Sequence, residues 1–362
     1  MTIPPLSGHF GARQRLAAAL RDHRLPQVLL FEGAEGVGRQ RLALWLAQLL
    51  FCEQRQDEPC GTCRGCRRVA GLAHPDLHWF VPIPRPKATD PDKAVDEAAE
   101  GLSEVMAERR DHPLYAAPEG MASHSIASVR LLQRRAALKS VEGGPTVFIV
   151  GEAERLVPQE SSPEAANALL KLLEEPPAKT WFVLTATEAR RLLPTIRSRV
   201  VPLRLGRLTD DEVREFLGAH AGLKGAALDE AVKRAEGAIG AALGGDAEGA
   251  EKAQRAAVAV VEAAAAGPAV WAERVLQQNP FSARGDFSAM LDALAATLGD
   301  AVRATTGLAP RQPLPAALAK HRAPGRLLEA QQAVATAREA AQGNVNPQLL
   351  LAGLGEELSR CL

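Results

Sequence analysis

Residues Phe31-Glu32-Gly33-Ala34-Glu35-Gly36-Val37-Gly38-Arg39-Gln40 set Gly33 and Gly38 in G-x-x-x-x-G spacing between an apolar run and a helical pattern. This spacing lets successive backbone N–H groups wrap a phosphate at a helix N-terminus. Its context constrains the fold. Val28 to Phe31 supplies a strand, and Leu42, Leu44, Trp45, Leu46, Leu49 and Leu50 supply an amphipathic helix. A strand, loop and helix in this order belong to a largely parallel α/β sheet. The frame is that of a nucleotide-binding domain, but two positions depart from it. A hydrolysing loop ends in Lys and then Ser or Thr, an ammonium for the β/γ-phosphates and a hydroxyl for Mg²⁺. Here Arg39 and Gln40 stand there. Arg39 keeps the charge on a planar fork, and the Gln40 amide is a poor replacement for a hydroxyl metal ligand.

A second strand is predicted at Thr146-Val147-Phe148-Ile149-Val150, after the turn pair Gly143-Gly144. In P-loop ATPases such a strand ends in an Asp for Mg²⁺, followed by a Glu that activates water. Gly151 occupies the first position and Glu152 alone survives. The changes at Arg39, Gln40 and Gly151 all remove metal or γ-phosphate chemistry. They predict a P-loop domain without ATP turnover and put ATP or ADP binding in doubt. The competing reading, a chance G-x-x-x-x-G in a chain that was never a nucleotide-binding protein, has to explain the strand and helix on either side of it.

Four of the five cysteines, Cys52, Cys60, Cys63 and Cys66, lie within fifteen residues as C-x7-C-x2-C-x2-C. Two-residue gaps with Gly61 and Gly65 suit tetrahedral Zn²⁺, and four sulfurs leave no open position, so a structural rather than a catalytic zinc is expected. A Cys60–Cys63 redox pair is the alternative, and it does not need the other two thiols. His74 and His78 read as loop or packing residues, and Cys361 has no assigned role.

With 43 basic and 43 acidic residues the chain has no global positive field, which argues against autonomous tight DNA binding. No 18-residue apolar stretch and no signal-peptide pattern occur, so a cytoplasmic protein without a membrane span is expected.

Residues 1–205 read as one α/β domain, with a zinc module at 52–66 and a third strand at Trp181-Phe182-Val183-Leu184. The stretch 82–125 reads as a solvated insertion whose middle, Asp92 to Arg110, forms an exposed amphipathic helix with Val95, Leu102, Val105 and Met106 on one side. Ser162-Pro163 begins a helix that Pro176-Pro177 ends. Thr209 three residues before Glu212 forms a capping box and opens a small helical lid over 206–266. An all-helical domain over 267–362 follows.

The run Asn167-Ala168-Leu169-Leu170-Lys171-Leu172-Leu173-Glu174-Glu175-Pro176-Pro177, followed by Leu193-Pro194-Thr195-Ile196-Arg197-Ser198-Arg199, resembles bacterial DNA polymerase III clamp-loader subunits of the δ′ kind, within the AAA+ superfamily. The four cysteines closed by His74-Pro75-Asp76 are similar to those of the γ/τ and δ′ subunits. The resemblance covers residues 1 to 245 well and the rest only by class. It implies an AAA+ P-loop domain, a helical lid and a helical collar. It also implies γ/τ ATPase and δ subunits as partners, and the sliding clamp and primed DNA as partners reached through the complex. The active γ/τ kind keeps the P-loop Lys and Thr and the acidic Asp, so their loss favours δ′. Val200 replaces the cysteine of the family's Ser-Arg-Cys motif, and Ala241 stands where active relatives place the sensor-2 arginine. By resemblance Arg199 is a finger directed in trans at a neighbour's ATP, with Ser198 positioning its turn; an arginine so placed stabilises the charge of phosphoryl transfer. Its alternative is a surface arginine among Arg190, Arg191, Arg197 and Arg204. Two other functions remain open: an active γ/τ-type ATPase that tolerates Arg39, and a free-standing zinc-containing DNA-binding module.

Overall fold

The computed structural model describes residues 2–54, 57–114, 122–156, 163–243, 247–279, 285–310, 312–319, 323–341 and 345–362. They form two compact units, Met1–Gly244 and Gly245–Leu362.

The first unit is built on a five-stranded sheet of β1 (Val28–Glu32), β2 (Leu77–Phe80), β3 (Thr146–Val150), β4 (Thr180–Ala186) and β5 (Val201–Arg204). The order is β2-β3-β4-β1-β5, and every pairing is parallel. The inner strands are near-continuous apolar runs because helices cover both faces. Leu30, Phe31, Phe148, Phe182 and Leu184 are fully buried. Phe148 stacks on Phe182 with ring centroids 5.1 Å apart, in register across β3 and β4. β1 sits between β4 and β5, so the glycine loop leaves the interior of the sheet at its carboxyl edge, where α/β folds bind ligands.

Seven helices of this layer are α1 (Phe10–Arg21), α2 (Arg39–Phe51), α3 (Arg64–Ala70), α4 (Pro91–Asp111), α5 (Ile126–Ala136), α6 (Glu164–Glu174) and α7 (Pro194–Arg197). Two of them differ from the sequence expectation. α2 is not amphipathic in its surroundings: Leu42 through Ala47, with Leu49 and Leu50, are all buried. The 82–125 segment is not a solvated excursion either. Asp90 caps α4 by accepting from the N–H groups of Asp92 and Lys93, and Val95, Ala98 and Leu102 join the main core, with Val105 and Met106 partly buried against it. The helix has a real apolar face, and α5 and the sheet provide the partner that buries it. Pro163 precedes the first turn of α6, while Ser162, expected as its cap, lies outside the described residues.

Helices α8 (Asp210–His220), α9 (Gly225–Ala235) and α10 (Ile239–Leu243) surround a small core of Val213, Phe216, Leu217, Ala231 and Val232. Thr209 and Glu212 form the expected capping box, each side chain bonded to the other's backbone N–H. The second unit holds α11 (Ala247–Ala266), α12 (Pro268–Leu276), α13 (Asp286–Thr305), α14 (Ala316–Ala319), α15 (Pro324–Ala341) and α16 (Pro347–Cys361). The stretch 206–266, read from sequence as one lid, therefore spans both units. Ala257, Val260, Val261 and Ala264 of α11 bury with Leu291, Leu294, Leu327 and Leu351 in the core of the second. The first unit is thus a parallel α/β layer with a glycine loop after β1 and small helices appended to it. No described helix is long and apolar enough to cross a membrane.

Candidate functional site

The glycine loop takes the backbone its residues dictate: Gly36 and Gly38 have φ of 73° and 104°, in the left-handed region that favours glycine. The tip is covered. The Gly240 N–H donates to the Gly36 carbonyl at 2.9 Å, and a Cβ on Gly240 would stand 2.6 Å from the Gly36 Cα. A Cβ on Gly36 would meet the Ala241 nitrogen at 2.8 Å, and one on Gly33 the Leu205 carbonyl oxygen at 2.8 Å. His9 Nε2 donates to the Val37 carbonyl at 2.7 Å. The first turn of α10 thus lies directly against the phosphate loop.

Arg39 is 7% exposed, and its Nη1 has no hydrogen-bond partner. Burial pushes the guanidinium below its ordinary value, and the carboxylates of Glu154, Glu35 and Glu152 pull it back up. Gln40 is half-buried, and its Oε1 accepts from Trp79 Nε1 at 3.0 Å. A Cβ placed on Gly151 would lie 2.7 Å from that same Oε1. The amide therefore fills the space into which a side chain at position 151 would grow. Glu152 has φ 53°, and its carboxylate pairs with Arg155 Nε at 2.9 Å. Burial raises its pKa, with Arg155 opposing the shift. His124, 2% exposed, donates from Nε2 to the Gly151 carbonyl at 2.7 Å, and burial pushes its imidazole down to about 4.

The ligand atoms of Cys52, Cys60, Cys63 and Cys66 all lie within 4.8 Å of one another. A tetrahedral ion with Zn–S bonds of about 2.3 Å needs sulfurs about 3.8 Å apart, so the four fit such an ion. Backbone N–H groups already point at the sulfurs: Cys60 to Cys52 at 3.4 Å, Cys63 to Cys60 at 3.3 Å and Cys66 to Cys63 at 3.4 Å. Those from Cys63 and Thr62 push the Cys60 thiol down to about 6, toward the thiolate a metal requires. Gly65 is needed by a close approach, since a Cβ there would meet the Phe51 carbonyl oxygen at 2.2 Å. His74 stacks on Phe51 at 3.7 Å. Asp76 accepts from the N–H groups of Val141 at 2.7 Å and Glu142 at 3.1 Å, and Glu142 pairs with Arg68 of α3. The His-Pro-Asp turn thereby ties the cysteine module to the loop before β3.

Arg199 follows α7, 28% exposed at its side chain. Its Nη1 donates to the Thr195 carbonyl at 2.7 Å and to Ser198 Oγ at 3.0 Å, and its Nε donates to Glu174 Oε1 at 2.8 Å. Nη2 also donates to Glu174 Oε1. The structure brings the end of α6 and the Ser-Arg turn together. The hydrogen bonds of this pair run to Thr195 and Ser198, with none to the Arg39, Gln40 and Gly151 corner or to the cysteines among the described residues. Sequence reasoning missed Trp79, His124 and Glu142, which belong to no motif; Glu174 was in view as part of Glu-Glu-Pro-Pro, but without its partner.

A model of the family described as DNA polymerase III, delta subunit matches residues 9–209. The chain is 31% identical over 181 residues to DNA polymerase III subunit delta' of Bacillus subtilis (strain 168), covering 50% of this chain and 42% of that protein. To the subunit delta' of Escherichia coli (strain K12) it is 32% identical over 231 residues, covering 64% and 57%. The chain thus spans about half the length of these curated relatives. Among solved structures, the Aeropyrum pernix Orc1 protein in complex with DNA aligns over 98% of this chain and 94% of that one, at 15% identity and a TM-score of 0.40. The family match covers more than half of the 362 residues and contains the whole site from Gly33 to Arg199, and the chain belongs to the DNA polymerase III delta subunit family.

Proposed function

We propose that the protein is a non-hydrolysing δ′-type subunit of a DNA polymerase III clamp loader. In this role it helps load the sliding clamp on primed DNA beside γ/τ ATPase and δ subunits. The observation that carries the reading is the Gln40–Gly151 contact. The two positions that would hold Mg²⁺ are filled by an amide and an absent side chain that fit each other, with Trp79 holding the amide in place. Without a protein ligand at either position, Mg²⁺ is not held where it would neutralise charge on the γ-phosphate. Glu152, the one retained acidic residue, is engaged with Arg155.

The chain's contribution to chemistry is then made elsewhere. Arg199 serves as a finger in trans, with Ser198 accepting from its guanidinium and fixing the turn. The four cysteines hold one structural zinc, which supplies folding energy to the 52–66 segment and takes no part in a reaction. The test is hydrolysis by the purified chain: no Mg²⁺-dependent turnover of ATP is expected. Saturable hydrolysis abolished by Glu152→Gln would instead establish an active γ/τ-type enzyme.

A further inference from the structure

The geometry assigns Glu174 a positioning role: its carboxylate occupies the Arg199 guanidinium as a stand-in for phosphate and holds the finger back until a neighbour's nucleotide displaces it. This rests on Arg199 being a finger. Arginine has five N–H donors in one planar fork. Four are committed within the chain, two on Nη1 to Thr195 and Ser198 and one each on Nε and Nη2 to Glu174 Oε1. The Nε–Nη2 edge is one that chelates a carboxylate or a phosphate. As long as Glu174 holds it, a single Nη2 N–H remains for an incoming γ-phosphate, and the adjacent negative charge offsets the positive one.

Nothing local to α6 calls for a carboxylate at this place. Glu174 is its last residue, where the helix dipole disfavours negative charge. The partner that stabilises it is Arg199. The pair is also easy to exchange, because the Glu174 side chain is 48% exposed and an exposed ion pair is weak. A latch of this kind yields to a multiply charged phosphate, yet slows reaction while the neighbour's site is imperfectly docked.

The test compares wild type, Glu174→Gln, Glu174→Ala, Arg199→Ala and the Arg199→Ala/Glu174→Ala double variant, each in the complex reconstituted with its ATPase subunits. ATP hydrolysis is measured with and without clamp and primed DNA. Glu174→Gln keeps the side chain's size and an acceptor while removing its charge, so it reports even if the alanine variant assembles poorly. Without clamp and DNA, both Glu174 variants are expected to raise kcat at the facing site about 1.4- to 5-fold at unchanged KM for ATP, the range set by the strength of an exposed ion pair. The gain should vanish in the double variant, which behaves as Arg199→Ala. Damage to the fold lowers rates and does not produce such a gain. If Arg199→Ala slows the complex while the Glu174 variants are unchanged or slower, the latch is refuted and the finger stands. If Arg199→Ala leaves the rate unchanged, the finger assignment fails and takes the latch with it.

Discussion

Gln40 and Gly151 occupy one space: the Gln40 Oε1 lies 2.7 Å from where a Gly151 Cβ would be, and accepts from Trp79 Nε1 at 3.0 Å. Either change alone would look like a lost ligand. Together they form a packed corner in which the Gln40 amide, held by Trp79, fills the space a side chain at position 151 would need.

That fit makes the two positions energetically coupled. Gly151→Ala should destabilise by about 1 kcal/mol, because the new methyl group drives the amide off Trp79. In a Gln40→Ala background the same substitution should be close to neutral. A double-mutant cycle in urea should therefore give a coupling of about 0.5–1.5 kcal/mol, and additive effects would show that the contact carries no energy.

The cysteine cluster predicts one zinc per chain. Protein purified without added metal should contain close to one equivalent, and Cys66→Ser should reduce it while leaving the sheet folded. Hydrogen exchange should then quicken in 52–74, where the Gly65–Phe51 approach and the His74 stack hold the chain around the four thiols. Far less than one equivalent would leave four thiols as packing residues.

How much of this was legible beforehand follows from how local each signal is. The glycine loop, the Thr209 capping box and the cysteine spacing are set within a few residues, and the sequence patterns matched what folds. β2 and β5 went unread because each is four residues long, and Pro202 in β5 weakens a strand pattern. The burial of α4 was misjudged because its charged face is visible in sequence, while the partner of its apolar face, α5, lies some fifteen residues further on. The fit of Gln40 to Gly151 spans 111 positions and the Glu174–Arg199 pair 25. Such pairings depend on strand order, which no single segment encodes.

Arg199→Ala should fold, keep its zinc and enter the complex normally. ATPase activity stimulated by clamp and DNA should fall at the one site it faces, by a factor on the order of 10³ if the finger behaves as others do. On the proposed role the loss is confined to that one site, so the total rate should drop only in part, and clamp loading should suffer more if all sites must act together. Unchanged hydrolysis and loading would make Arg199 an ordinary surface residue.

The contact between α10 and the glycine loop can be probed at Gly240. A Cβ there would stand 2.6 Å from the Gly36 Cα, backbone against backbone, so neither side can rotate away. Gly240→Ala should cost about 1–3 kcal/mol, the range for overpacking a tight contact. Gly144→Ala, where a Cβ meets nothing within 4 Å, serves as the control and should be near neutral. Equal thermal midpoints for the two variants would mean that α10 does not rest on the loop in solution.

His124 gives a pH-dependent test of the strand end that carries Gly151. Its imidazole is fully enclosed and is pushed from 6.5 to about 4 by burial. Between those values the unfolded chain binds a proton that the folded chain refuses, so stability rises with pH across the window. The contribution is fully present above about pH 6.5 and is lost as pH falls toward 4, amounting to about 3 kcal/mol at the low end. Gln at this position can still donate to the Gly151 carbonyl but does not titrate. Urea unfolding of the wild type and of His124→Gln at intervals from pH 7.5 to 4.5 should therefore give curves that converge at low pH if the wild type starts the more stable. The half-buried His78, also pushed down to about 4, titrates in both proteins and cancels from the difference. Parallel curves over this range would mean that His124 takes up its proton in the folded state without penalty, and that the corner behind Gly151 is open to water.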